Sequence, residues 1–159
     1  MFGLFRKRKK EPAGNSQNNG TPTNLPKGSE TVLVAEFATG ARTEVVRILR
    51  ELGYRVLEAA TGEEALRIVQ EARSGNVDIF LTNMVMPDMS GRQLAHCLAK
   101  CSLTKVIYCS GCTEKVALQN GAIDHTMPYL QKPIAPDALA YKIREVLTLG
   151  KSTTKNAEN

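Results

Sequence analysis

The sequence predicts an α/β domain in which a five-stranded parallel sheet carries helices on both faces. Three observations lead there. Short apolar, β-branched runs alternate five times with amphipathic helical stretches between residues 31 and 149. The first and third of those runs, "TVLVAE" and "VDIFLT", are nearly continuous in apolar character, as strands buried on both sides must be. The length of 159 residues, with 42% hydrophobic and 23% charged side chains, suits one compact domain with room for a core.

The elements follow in order. Residues 31–36 form the first strand. "ARTEVVRILREL" (41–52) sets Ala41, Val45, Ile48, Leu49 and Leu52 along one helical stripe, and Gly53 ends the helix. "YRVLEA" (54–59) is the second strand. Thr61 and Glu64 form a capping box, in which hydroxyl and carboxylate satisfy free N–H groups of the first turn; the helix it opens turns Ala65, Val69 and Ala72 inward. "VDIFLT" (77–82) is the third strand, and Gly91 to Cys101 the third helix, with Leu94, Leu98 and Cys101 aligned. "KVIYCS" (105–110) supplies the fourth strand, residues 113–120 a weaker helix before Gly121, and "YLQ" (129–131) a short fifth strand. "PDALAYKIREVLTL" (136–149) closes the series, with Leu139, Ile143, Val146 and Leu147 on its apolar stripe.

Outside residues 29–150 the composition changes. Phe2, Leu4 and Phe5 precede five consecutive cations, Arg6, Lys7, Arg8, Lys9 and Lys10. The following stretch, "EPAGNSQNNGTPTNLPKGSE", has scarcely an apolar side chain, so burial cannot offset the entropy lost on ordering. Residues 1–28 are therefore expected to be a disordered basic arm and linker, and residues 151–159 a disordered polar tail. The net charge of +5 sits in these ends: residues 1–28 carry six Lys/Arg against Glu11, while 29–150 carry thirteen Lys/Arg against fourteen Asp/Glu. A near-neutral domain argues against specific nucleic-acid recognition, which needs a basic face. No apolar run approaches the ~20 residues that span a bilayer, and no secretory apolar segment accompanies the basic block, so a cytoplasmic protein is expected. The three apolar side chains and five cations of the arm suit reversible attachment to an anionic membrane surface. A solvated charge run and loose nucleic-acid attraction fit the same residues.

Cys97, Cys101, Cys109 and Cys112 have the spacings C-x3-C and C-x2-C. Cys101 falls about ten residues along a helix, roughly 15 Å from its start, and Cys109 at the opposite end of a strand. A four-thiolate zinc site would need ligands from both ends of the domain. Small packed thiols are expected, with redox chemistry at "CSGC" as the alternative; no metal or cofactor is assigned.

In open parallel sheets the functional crevice lies at the carboxyl ends of the strands. The residues there are Glu36 and Phe37, Asn83, Ser110 and Lys132. At these tips the chain resembles the receiver domain of bacterial two-component response regulators, over residues 31 to about 148. "TVLVAEF" is similar to the acidic-pair strand, "IFLTNMVMPDMSG" to the phosphoacceptor strand and loop, "VIYCSG" to the Ser/Thr strand and "YLQKPI" to the aromatic-x-x-Lys-Pro segment. "LGYRVLEAATGEEAL" resembles receivers fused to hybrid sensor kinases. The resemblance implies a flavodoxin-like (βα)5 receiver fold. It also implies a site in which an aspartate takes a phosphoryl group from a kinase histidine and, with an acidic pair, holds Mg²⁺. A hydroxyl and an ammonium contact the phosphoryl oxygens, and an aromatic side chain relays the change. Carried onto this chain, the acceptor is Asn83, the acidic pair Glu36 and Phe37, the hydroxyl Ser110, the ammonium Lys132 and the switch aromatic Tyr129. Lys132-Pro133 matches a family position that is usually cis.

Two of the three carboxylates are thus missing. An amide is not an anionic oxygen nucleophile, and Mg²⁺ needs carboxylates to hold it. The expected function is a non-phosphorylatable pseudo-receiver, not an enzyme, that serves phosphorelay signalling as a protein-interaction or scaffold module. Glu36 and Lys132 are expected to pair and lock the site in one state. Asp88, beyond Pro87, and Asp78, at the far end of the strand, stand outside the tip set. The family's output surface is the fourth helix, fifth strand and fifth helix; there Tyr141 lies opposite the buried stripe and is the candidate contact for a protein partner. Two alternatives remain: an orthodox receiver with an unusual acceptor, and a thiol-based redox protein.

Overall fold

The computed structural model describes residues 24–72, 77–101 and 105–149. Five strands and five helices alternate along the chain: β1 (Thr31–Ala35), α1 (Thr39–Glu51), β2 (Arg55–Ala59), α2 (Gly62–Glu71), β3 (Ile79–Asn83), α3 (Gly91–Ala99), β4 (Val106–Ser110), α4 (Glu114–Gln119), β5 (Tyr129–Gln131) and α5 (Pro136–Thr148). Every strand pair is parallel and the sheet order is β2-β1-β3-β4-β5. The chain builds outward from β1 to β2, then returns to add β3 on β1's other side. That reversal opens the crevice between the carboxyl ends of β1 and β3.

The alternation of side chains along β1 explains why both sheet faces are covered. Val32 and Val34 pack with Ile48 and Leu49 of α1 and with Leu139 and Ile143 of α5. Leu33 and Ala35 point the opposite way and meet Ala65 and Val69 of α2 and Leu94 and Leu98 of α3. Phe80, fully buried, fills the centre of this second layer. A smaller cluster of Ala117, Ile123 and Tyr129 seats α4.

Differences from the sequence reading lie at element ends. Helix α1 starts at Thr39, two residues early, because Arg42 N–H already donates to Ala38 O at 2.9 Å. After it, Gly53 takes φ +95°, and a Cβ there would approach Gly28 O to 2.7 Å. The box at α2 is only half formed. Thr61 Oγ1 accepts from Glu64 N–H at 3.1 Å, but the Glu64 carboxylate reaches Ala60 N–H, at 2.8 Å, rather than that of Thr61. The reciprocal box stands instead at α3, between Ser90 and Gln93. Helix α3 stops at Ala99, so Cys101 packs from beyond its end. Strand β3 runs one residue past the expected limit and ends on Asn83.

The domain also begins earlier than composition suggested. Leu25 packs against the α1/α5 layer, and Gly28 N–H donates to Leu52 O at 3.1 Å. Two residues on, both Glu30 carboxylate oxygens accept from Arg144 at 2.8 Å. Residues 24–28 therefore belong to the folded unit, because one apolar anchor and these bonds outweigh a linker-like composition. The arm residues Phe2, Leu4, Phe5 and Arg6 to Lys10, and the tail 151–159, lie outside the described residues.

Candidate functional site

Parallel strands bring residues distant in sequence to one edge. Glu36 follows β1, Asn83 ends β3, Ser110 ends β4 and Lys132 follows β5. The loop after β3 folds back tightly: Gly91 N–H donates to Met84 O at 2.9 Å, and a Cβ on Gly91 would come within 2.4 Å of Asn83 O. Lys132 is tied to the sheet by its own N–H, which donates to Ser110 O at 2.8 Å. The Lys132-Pro133 peptide is cis.

At the centre Lys132 Nζ is ion-paired to Glu36 Oε2. Glu36 is only 5% exposed. Its other carboxylate oxygen, Oε1, accepts from Ala38 N–H at 2.9 Å. Both anionic oxygens are thus engaged within the chain. Arg42, in the first turns of α1, donates to the backbone carbonyl of Glu36 at 2.8 Å and fixes the β1–α1 loop. Sequence reasoning passed over Arg42; its signal was a cation six residues beyond the tip acid.

Phe37 does not fill the place of a second ligand oxygen. Its ring is 53% exposed, so the oxygen is simply absent and an apolar surface stands beside the ion pair. Asn83 donates through Nδ2 to Val85 O at 2.8 Å, which turns its NH₂ group back onto its own loop. The void beneath the pair, lined by Val34, Leu81, Asn83 and Cys109 among others, is about 10 Å³, room for no more than a water.

The remaining tip residues form a second cluster on Cys112. Ser110 Oγ accepts from Cys112 N–H at 3.3 Å and lies 3.4 Å from its sulfur. The Tyr129 hydroxyl donates to Cys112 O, with the ring 5% exposed and turned inward. Burial first, then the contact with Cys112, pushes the Tyr129 phenol up to about 12. Contact with the Ser110 hydroxyl, then with that of Tyr129, draws the Cys112 thiol below its ordinary value. Cys109 is the reverse case: burial raises it to about 12. The two thiols of "CSGC" sit in different clusters, Cys109 in the α1/α5 layer and Cys112 beside α4. All four cysteines are free, and among the described residues no group of three or more His, Cys, Asp or Glu could hold a metal.

Neither spare aspartate reaches the tip. Asp88 accepts from Gly62 N–H at 3.0 Å and Glu63 N–H at 2.8 Å, capping α2 from outside, and these bonds hold its carboxyl below the ordinary range. Asp78 accepts from Thr31 N–H at 2.7 Å, at the start of β1. Tyr141 is 61% exposed on α5.

The donor set does not suit a divalent ion. Mg²⁺ demands oxygen ligands in near-octahedral array and is normally held by carboxylates; here one carboxylate remains, already bound by an ammonium and a backbone N–H. The Lys132 ammonium competes with any metal for the one carboxylate left at the tip.

Comparison with known proteins places these features. A sequence profile described as the response regulator receiver domain matches residues 32–144. The chain is 40% identical over 121 residues to "Sensor kinase CckA" of Brucella abortus (strain 2308), covering 76% of this chain and 13% of that protein. It is 27% identical over 124 residues to "Transcriptional regulatory protein AfsQ1" of Streptomyces coelicolor, covering 76% and 52%. The chain thus spans a small part of the first relative and about half of the second. Among solved structures, the receiver domain of the hybrid histidine kinase CckA superposes with TM-score 0.61 at 31% identity, over 74% of this chain and 98% of that one. A receiver domain protein from Clostridium thermocellum gives TM-score 0.63 at 26% identity, over 77% and 97%.

Proposed function

This chain belongs to the response regulator receiver domain family of two-component signalling, and on that premise we propose that it is a pseudo-receiver, held in one state and acting through contacts. The observation that carries the reading is the Glu36–Lys132 ion pair beside an amide at position 83. Lys132, which in the family meets phosphoryl oxygens, has instead the one remaining tip carboxylate. Asn83 offers no anionic oxygen to attack phosphorus. Without a metal the charge that develops between donor and acceptor oxygens goes unneutralised. These residues do not fit Mg²⁺, whose usual carboxylate ligands are reduced here to one.

A module with no phosphate-dependent change must signal by binding. The partner is a protein component of a phosphorelay, met through the α4–β5–α5 face where Tyr141 stands out as an aromatic anchor. The arm with Phe2, Leu4, Phe5 and its five cations adds reversible attachment to an anionic membrane surface, at about 1 kcal/mol per cation near the surface. None of the helices among the described residues is long and apolar enough to cross a membrane. No cofactor and no specific nucleic-acid partner enter this reading.

The test is intact-mass spectrometry of the full chain after incubation with Mg²⁺ and acetyl phosphate. An unchanged mass is expected. A covalent phosphoryl adduct would favour the orthodox receiver and overturn the proposal. Vesicle sedimentation with and without residues 1–10 tests the arm; equal pelleting removes membrane attachment.

A further inference from the structure

A groove of about 710 Å³ lies between α3 and the α4–β5 loop and shares no lining residue with the strand tips. Its α3 wall carries Arg92 and His96, both exposed. Val106 and Tyr108 of β4 form the floor, and Met127 and Pro128 the opposite wall. Lys105 and Leu149 close the lower lip, the latter 70% exposed. The volume falls within the ordinary range of ligand-binding clefts.

The charges in this groove are uneven. Arg92 and Lys105 face a single acid, Asp124, whose Oδ1 already accepts from the Thr126 N–H at 2.8 Å and from its hydroxyl. Lys105 Nζ spends one donor on Leu147 O at 3.1 Å. Arg92 forms no salt bridge among the described residues, although Asp124 lies within its electrostatic reach; its one hydrogen bond there is a long 3.5 Å approach to Ala122 O. It also occupies the first turn of α3, which contains no acid, although a helix start favours negative charge and disfavours a cation. Helix electrostatics therefore do not explain Arg92. No hydrogen bond engages the Tyr108 hydroxyl among the described residues, and it is not among buried unsatisfied atoms, so it is open to a ligand.

We propose that this groove docks an acidic segment of a protein partner, with a carboxylate on Arg92 and a neighbouring apolar side chain laid over Met127 and Leu149. The inference does not depend on the pseudo-receiver reading, since phosphorylation plays no part in it. The chain's own basic arm is a poor occupant, because its five cations would meet Arg92 and Lys105. The tail is no better, with Lys151 and Lys155 against Glu158.

The probe is a fluorescein-labelled peptide alternating Asp or Glu with Leu, titrated against the full chain by anisotropy. Saturable binding is expected. Two control peptides, with Lys replacing the acids or Ser replacing the leucines, should bind at least about tenfold more weakly. Arg92→Glu should weaken the acidic peptide about tenfold or more, the expected loss when a charged contact is reversed. Leu149→Ser, on the opposite lip, provides a second variant should Arg92→Glu disturb folding, and it too should weaken binding. Amide NMR shifts should gather on Ala95, His96, Tyr108 and Met127. Absence of saturable binding, affinity unchanged from the native chain in both variants, shifts centred on the strand tips, or occupation of the groove by a second copy of the chain would each overturn the proposal.

Discussion

Replacing Lys132 by Ala should destabilise the domain more than replacing its partner Glu36 by Gln. The reason is unequal burial: the Glu36 side chain is 6% exposed and that of Lys132 23%. Truncating the lysine strands a carboxylate in a nearly dry position. Breaking a buried pair in this way costs about 3–5 kcal/mol. Here the Ala38 N–H remains on Oε1 and Lys132 is itself partly wet, which reduces the expected cost to about 2–3 kcal/mol. In Glu36→Gln the amide oxygen can keep the Ala38 bond while the lysine swings into water, for about 1 kcal/mol. Urea unfolding at neutral pH measures both. With an m-value of about 1.5 kcal/mol per M, the lysine variant should lose about 1.3–2 M in midpoint. The double variant should show clear coupling between the two sites. Equal costs for the two single variants, or a lysine variant within about 0.5 kcal/mol of the native chain, would refute the ion-pair account.

Three further outcomes follow from the same geometry. Arg144 holds the Glu30 carboxyl down to about 2. A depressed carboxyl stabilises above its ordinary pKa near 4.5 and loses that contribution as pH falls through the folded value, so stability should decline from about pH 4.5 to about 2. Glu30→Gln, at a side chain about one-quarter exposed, should cost about 1–2 kcal/mol at pH 7 and flatten the acid limb of a thermal-melting series. Asp88→Ala removes the acceptor for the Gly62 and Glu63 N–H groups, and should lower stability by about 1 kcal/mol in urea. Tyr141→Ala, at a solvent-facing site, should leave folding within about 0.5 kcal/mol and reduce the proteins retained in affinity capture.

The sheet was legible because its signals are local. β1 and β3 carry apolar side chains on both faces, Gly53 takes the positive φ that stops a helix, and the α5 stripe of Leu139, Ile143, Val146 and Leu147 is buried as its spacing requires. The tip residues were also legible, since each strand's end names the next member of the edge. What escaped depends on contacts between distant residues. Arg144 meets Glu30 across 114 positions, and Asp88 caps a helix that begins 26 residues earlier. The outward turn of Phe37 and the seating of Tyr129 on the Cys112 carbonyl are choices of rotamer, which composition and periodicity do not carry. Leu25 was hidden by its polar neighbours, although one apolar side chain suffices to anchor a chain end.

The most direct measurement is a calorimetric Mg²⁺ titration of the full chain beside the Phe37→Asp/Asn83→Asp variant. Phe37 is half-exposed and Asn83 partly so, so both replacements should be accepted by the fold. The account predicts no saturable heat from the native chain, and saturable binding once the two carboxylates are restored beside Glu36. Tight Mg²⁺ binding by the native chain would contradict it.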